Sequence, residues 1–249
     1  MKHIVSFSGG KDSTAMLLMM IEKGMQIDDI IFCDTGKEFP EMYEHIKQVE
    51  RYINRPITVL KANKSFNYYM LEHIKTKGKN KGKRGYGWAT PMIRWCTSFL
   101  KRDVMNKYLK SLKDDYIMYI GIAYDEPKRH ANIADNVVHP LYDWKVTEAQ
   151  TLQYCYDKGF RWGRCYNNFK RLSCYCCPLQ RISEWRILRD KYPNLWEKSL
   201  ELEKGSYNNI NKEYSLLDLE ERFKLEDVLG KELRGYQCKI AKERQGIKG

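Results

Sequence analysis

The order of segments predicts an α/β fold: a doubly wound, mostly parallel sheet followed by a helical, cysteine-rich C-terminal portion. Three observations carry that prediction. Short apolar runs at 3–7, 30–33, 57–60 and 116–122 alternate with stretches whose apolar residues recur at helical spacing, as βαβ units with right-handed crossovers do. The first run passes directly into "SFSGGKDS", two glycines at a strand-to-helix junction. Beyond Trp144 the alternation stops, and aromatic residues and cysteines become frequent.

Residues 3–7 read as a buried strand, and 12–23 as a helix whose Ala15, Leu18 and Met19 share one face. Ile30 to Cys33 is a second strand, Met42 to Ile53 a second helix, and Ile57 to Leu60 a third strand after the Pro56 breaker. Phe66 to Ile74 looks helical. "KTKGKNKGKR" at 75–84 holds six basic residues and no carboxylate, and reads as a mobile loop. Residues 99–112 suggest another helix and 116–122 a further buried strand; 183–204 is helical and charged, with a polar tail after Gly205. These segments place a sheet domain at 1–145 and the cysteine-rich helical portion at 146–249.

The chain has 249 residues, 43% hydrophobic and 31% charged, and its longest apolar run is far too short to cross a bilayer. A membrane partner is excluded. The chain opens directly into a strand-like segment without the pattern of a secretion signal, so the expected compartment is the cytoplasm. A formal charge of +12 favours a polyanionic partner. Eight cysteines in a cytoplasmic chain read as ligands, nucleophiles or core residues rather than disulfides.

At the glycine junction, Gly9 and Gly10 permit positive φ and close approach, so backbone N–H groups can face an anion. The helix starting near Asp12 directs its positive end there, Lys11 adds a full charge, and Ser6, Ser8 and Ser13 add hydroxyl donors. That composition suits a nucleotide phosphate. The spacing is neither that of a Walker A loop nor that of a Gly-x-Gly-x-x-Gly loop. An ordinary turn with Ser8 or Asp12 as a helix cap is the bland alternative.

The stretch resembles the Ser-Gly-Gly-x-Asp-Ser loop of the ATP pyrophosphatases, the PP-loop or adenine nucleotide alpha hydrolase-like superfamily. That resemblance implies phosphate contacts from Ser8, Gly9, Gly10, Lys11, Asp12 and Ser13, with ATP or another adenine nucleotide and Mg2+ as cofactors. "CDTGKEFPEMYEHI" at 33–46 resembles the Asp-Thr-Gly-x-x-Phe-Pro-Glu block of the phosphoadenosine phosphosulfate (PAPS) reductase family, which implies that Asp34, Thr35 and Gly36 lie beside the adenosine. "RWCTSFLKR" at 94–102, "GIAYDEPKRH" at 121–130 and "HPLYDW" at 139–144 are similar to three further blocks of that family. Arg94, Lys101 and Arg129 are then candidate oxyanion clamps, with Gly121 and Glu126 in the same nucleotide-binding set. Catalysis would fall to Lys11, Asp12, Arg94 and Arg129.

"RLSCYCCPL" brings Cys174, Cys176 and Cys177 together in sequence, and Cys96 lies in the Arg-Trp-Cys-Thr block. Thiolates from Cys96, Cys174 and Cys177, with Cys176 or Cys165 as the fourth, suit a 4Fe-4S cluster, and zinc equally well. Cys33, Cys155 and Cys238 read as packing residues. The assimilatory reductases end in Glu-Cys-Gly-x-His, whereas Cys238 sits in "GYQCKIAK" with neither the glycine nor the histidine. The resemblance therefore points to an ATP-using sulfurtransferase, which adenylates an acceptor, releases pyrophosphate and transfers sulfur. Its expected partners are a nucleic-acid substrate, tRNA or DNA, and a sulfur donor such as a cysteine desulfurase. A true sulfonucleotide reductase, acting on adenosine phosphosulfate or its 3′-phosphate, is one alternative. A non-catalytic nucleotide- or nucleic-acid-binding module with structural zinc is the other.

Overall fold

The computed structural model describes residues 1–78, 80–131 and 134–233. Five parallel strands form one sheet: β1 (Lys2–Ser6), β2 (Asp29–Asp34), β3 (Thr58–Lys61), β4 (Tyr116–Ile120) and β5 (Val137–Val138), in the order β3-β2-β1-β4-β5. Val5 of the central strand pairs with Ile30 on one side and Tyr119 on the other. Central β1 reads as a continuous apolar run because both its faces are covered: Ile4 and Val5 are fully buried, whereas Val59 of edge strand β3 is half exposed.

Helices α1 (Lys11–Glu22) and α2 (Pro40–Ile53) carry the chain from β1 through β2 to β3. Right-handed crossovers put both on one face. The return to β4 runs through a short turn at Trp95–Thr97, a wide turn at Ser98–Arg102 and α3 (Asp103–Ser111). Met105 and Leu109 of α3 pack on Ile4 and Ile31, with Cys33 and Leu60 at the margin. Strand order therefore reverses between β1 and β4, and a crevice at that reversal is where open α/β sheets take ligands.

The described chain divides into two compact units: Met1–Phe66 with Trp95–Tyr175, and Asn67–Arg94 with the chain from Cys176 onward. The boundary expected near residue 145 is thus displaced. Helix α4 (Glu148–Asp157) packs on α1, and an isolated bridge ties Cys174 to Glu38, so the sheet unit runs on to Tyr175. The other unit takes its first segment from inside the expected sheet domain.

In that second unit, the single charged helix expected over 183–204 is two helices, α5 (Ile182–Lys191) and α6 (Pro193–Lys204). Pro193 lacks the N–H that would continue the first helix and sits at the start of the next. The stretch read as a polar tail contains α7 (Leu216–Leu229), begun by a capping box in which Ser215 and Asp218 satisfy each other's backbone N–H. Leu216, Leu219 and Phe223 share its buried face, and Trp196 lies 6.2 Å from Trp185 and 6.0 Å from Phe223 between ring centroids. The helical segment expected at 66–74 is a single wide turn at Tyr68–Glu72. The loop expected to be mobile closes instead into a hairpin, with an antiparallel bridge between Ile74 and Arg84.

Candidate active site at the carboxyl edge of the sheet

The loop after β1 turns through Gly9, whose φ of +76° is the left-handed region that glycine enters without penalty. A Cβ there would also lie 2.5 Å from the Met42 Sδ. Ser13 closes the loop from inside: its hydroxyl donates to the Gly10 carbonyl (3.1 Å), accepts from the Ser8 N–H (3.2 Å) and lies 3.0 Å from the Ser8 hydroxyl. Ser8 itself is exposed, and Ser6 ends the strand beneath it. Gly121, just past β4, approaches the start of α1 closely, since a Cβ there would sit 2.9 Å from the Ser13 backbone nitrogen. The first helical turn and the ends of β1 and β4 thus meet at the reversal of strand order.

Lys11 is buried, and its ammonium is held by Asp12 (2.8 Å) and Glu148 (3.1 Å). Asp12 also accepts from the Thr151 hydroxyl (2.6 Å). Burial pushes the Asp12 carboxyl above its ordinary value against the opposing pull of Lys11 and Thr151. α4 places Glu148 and Thr151 one turn apart on the same face, and its Cys155 thiol donates to the Lys11 carbonyl (3.4 Å). Burial raises that thiol to about 12, so Cys155 is an inert packing group, as expected from its sequence.

Trp162–Asn167 buttresses the loop from its other side. The Trp162 indole N–H donates to the Gly9 carbonyl (2.8 Å), and the Tyr166 hydroxyl accepts from the Lys11 N–H (2.8 Å). Trp162, Gly163 and Arg164 all have positive φ (44°, 56° and 66°), a costly run at two non-glycine positions that persists only where surroundings enforce it. Below, the buried His45 bonds Thr14 of α1 (2.9 Å) and lies against Trp162 at 4.1 Å between ring centroids. Glu148, Thr151, Trp162 and Tyr166 escaped the sequence reading. They lie about 140 to 160 residues from the loop in the chain, and no local spacing links them to it.

Asp34 closes β2 and is thoroughly engaged: it accepts from the Gly36 N–H (2.7 Å) and the Tyr43 hydroxyl (2.8 Å) and pairs with Lys61 (3.1 Å). Burial would raise its carboxyl, but these three donors hold it below its ordinary value. Gly36 has φ +71°. The Thr35 hydroxyl donates to Glu38 (3.0 Å) and lies 3.2 Å from the Cys174 sulfur.

Lys101 approaches Glu38 at 3.7 Å, and its backbone carbonyl accepts from the Cys33 thiol (3.7 Å). Burial works against its charge, but Glu38 and then the Cys174, Cys33 and Cys96 sulfurs hold its ammonium above the ordinary value. Lys101 therefore sits among thiols. Soft thiolate donors suit an iron-sulfur cluster or zinc, and in this unit Cys96 and Cys174 fit that chemistry. Cys165 is buried in the same unit, while Cys176, buried, and Cys177, half-buried, belong to the second unit. Among the described residues no three His, Cys, Asp or Glu side chains converge as a metal site. Cys33 packs at the margin of the core as expected, and Cys238 lies outside the described residues.

Of the expected arginines, Arg129 is paired with Glu126 through one nitrogen, Nη1, at 2.7 Å to each carboxylate oxygen, on the chain following Gly121. Arg94 is exposed and belongs to the second unit. The Gly9–Gly10 loop, the Asp34–Gly36 turn and the Gly121–Arg129 segment thus follow the carboxyl ends of β1, β2 and β4.

An uncharacterized protein of Methanocaldococcus jannaschii is 25% identical over 233 residues, 85% of this chain and 42% of its own length. A second from the same organism is 29% identical over 212 residues, 78% of this chain and 45% of its own length. The uncharacterized nin region protein ORF290 of Escherichia phage lambda is 31% identical over 148 residues, 52% of this chain and 50% of its own. The chain thus spans about half the length of the curated relatives it matches. Among solved structures, PAPS reductase from Candida auris in its phosphate complex aligns at TM-score 0.47 and 16% identity, covering 69% of this chain and 80% of that one. The U34-tRNA thiolase NcsA from Methanococcus maripaludis, with its 4Fe-4S cluster, aligns at TM-score 0.43 and 16% identity, covering 90% and 72%. Residues 2–180 match the family described as phosphoadenosine phosphosulfate reductase domain, and the chain belongs to that family.

Proposed function

We propose that this chain binds the phosphates of an adenine nucleotide at Ser8–Ser13 and activates an acceptor by adenylation, as the first half of a sulfur transfer onto nucleic acid. The observation that carries this is the loop itself: a left-handed Gly9, two facing serine hydroxyls and a buried lysine at the start of α1, on the crevice where strand order reverses. An acceptor oxygen attacks the α-phosphorus, the bond to the β-phosphate oxygen breaks, and pyrophosphate leaves with its charge met by Lys11 and the loop amides. A sulfide-level donor then displaces AMP from the acceptor. Mg2+ accompanies the nucleotide, and Asp12 and Glu148 are the carboxylates close to Lys11 on which the phosphates would act.

Gly121 keeps the β4 edge against α1, Trp162 fixes the Gly9 carbonyl, and Asp34 organises the Thr35–Gly36 turn on the expected adenosine side. Lys101 and Arg129 are the candidate oxyanion clamps within the sheet unit; Arg129 must first leave Glu126 to serve. Cys96 and Cys174, the expected ligands within the sheet unit, would supply thiolates to an iron-sulfur cluster or zinc, which when bound supplies thiolate-ligated sulfur or Lewis-acid chemistry.

In the metal-replete chain with its nucleic-acid acceptor present, Lys11→Ala should lower pyrophosphate release from ATP by at least about a hundredfold, the scale of removing one preorganised charge from a developing anion. Full activity in that variant overturns the assignment. The family's own description favours a second reading, a sulfonucleotide reductase. It predicts sulfite from adenosine phosphosulfate or PAPS with a thiol reductant, and an assay without sulfite removes it.

A further inference from the structure

In the second unit, the described residues of the basic segment, 75–78 and 80–84, form a braced hairpin. Its stem is closed by the Ile74–Arg84 bridge, by Lys75 N–H to the Lys83 carbonyl (3.0 Å) and by Gly82 N–H to the Lys75 carbonyl (2.8 Å). Its root is locked to the Tyr68–Glu72 turn: Gly85, Tyr86 and Gly87 donate to the carbonyls of His73 (2.8 Å), Tyr69 (3.0 Å) and Met70 (2.9 Å). Gly85 has φ +68°, and a Cβ there would lie 2.4 Å from the Met70 carbonyl oxygen, so the root requires glycine. Asn208 clamps Trp88 through both backbone groups, at 2.8 and 3.3 Å. His73 and Tyr86 stack at 5.1 Å with a 12° interplanar angle.

Two features on this rigid base point outward. Lys77, Lys81, Lys83 and Arg84 are all exposed and none has an ion-pair partner among the described residues. Beside the stem, Tyr207 is 66% exposed although its hydroxyl is fixed to the Tyr86 carbonyl (2.8 Å) and its ring is approached by the Lys75 ammonium at 4.5 Å. A row of unpaired cations next to an immobilised, exposed aromatic ring is the arrangement that holds phosphates along a strand while a base stacks. A duplex, whose bases are already stacked, leaves such a ring unused.

We infer that Lys77, Lys81, Lys83 and Arg84 of the hairpin, with Tyr207, form a binding surface for a single-stranded segment of nucleic acid. This deepens the proposed function, resting on its nucleic-acid acceptor, but it is measured without any nucleotide chemistry. The probe is a fluorescent single strand of about 15 nucleotides, as RNA and as DNA, against a duplex of the same length, titrated with the full chain by anisotropy at several salt concentrations. Replacing Lys77, Lys81 and Lys83 together by Ala should weaken strand binding at least about tenfold and lower the magnitude of the log–log salt slope by about 2; the triple Arg variant should keep both. Tyr207→Leu should weaken strand binding severalfold while leaving the salt slope unchanged, because it removes stacking and no charge. ATP affinity measured by calorimetry without nucleic acid should be unchanged in all three variants, so a wild type that binds strands but no adenine nucleotide would sink the proposed chemistry and leave this surface standing. Equal affinity of the triple Ala variant and the wild type, or preference for the duplex, overturns the inference.

Discussion

The surroundings of the glycine loop at 8–13 and the basic hairpin are both rich in cations, yet they treat charge oppositely. At the loop, Lys11 is taken up by Asp12 and Glu148, Lys61 by Asp34, and Arg129 by Glu126. On the hairpin, Lys77, Lys81, Lys83 and Arg84 have no such partners among the described residues. Internal pairing holds buried groups in place and keeps a charged site tolerable before its ligand arrives. Unpaired surface cations instead raise the local concentration of a polyanion and release counterions when it binds. The first arrangement suits a small ligand in a fixed pose, and the second a long one tracked along its backbone.

Acid should separate the two regions most strongly. His45, behind the loop, is held neutral by burial, its value depressed from 6.5 to about 3, and its Nδ1 is buried without a partner. Its folded value lies below its unfolded one, so between pH 6.5 and 3 the unfolded chain binds the extra proton and stability falls as pH falls. The loss should reach about 3 kcal/mol at pH 4, read from denaturant unfolding. His45→Gln should flatten that slope, and an equally steep profile in the variant would refute the assignment. Strand binding by the folded protein, followed over the same range, should not track the His45 profile.

A smaller effect is expected from Trp162→Phe, which keeps the ring packing against His45 but removes the N–H that donates to the Gly9 carbonyl. One neutral hydrogen bond contributes about 1 kcal/mol, so nucleotide affinity by calorimetry should fall about fivefold while strand binding holds. Equal losses in both would mean that the indole supports the whole chain rather than the loop.

The contrast also separates what was legible in the sequence. The β-α alternation and the loop were readable because they are local: Ser8 to Ser13 lie within one turn, and glycine is demanded at position 9 by a backbone angle. Packing partners were not. Nothing near Lys11 announces Glu148 or Tyr166, and the strained run from Trp162 to Arg164 contains two residues that no turn preference would place at positive φ. The hairpin failed for another reason: like charges and two glycines read as an unstructured loop, while its bracing is made of backbone bonds that no side-chain pattern announces and of Asn208 and Tyr207, far along the chain. α7 was missed although its Ser215–Asp218 cap is local, because the charged residues between Leu219 and Phe223 masked a narrow apolar stripe.

The smallest effect tests whether the internal pairing at the loop competes with the ligand. Glu148 holds the Lys11 ammonium at 3.1 Å and is itself anchored at the start of α4, where its N–H donates to Asp125 (2.9 Å). A phosphate approaching Lys11 must share it with two carboxylates. Glu148→Gln removes one negative charge but keeps a hydrogen-bond acceptor for the ammonium. Nucleotide affinity should therefore rise, by about threefold, because partly exposed charge pairs contribute less than about 1 kcal/mol. The gain should shrink as salt is added, since screening weakens the removed repulsion. An unchanged or weaker affinity would mean that Glu148 serves to aim Lys11 rather than to occupy it, and the loop would then be preorganised for phosphate by the same pair that neutralises it.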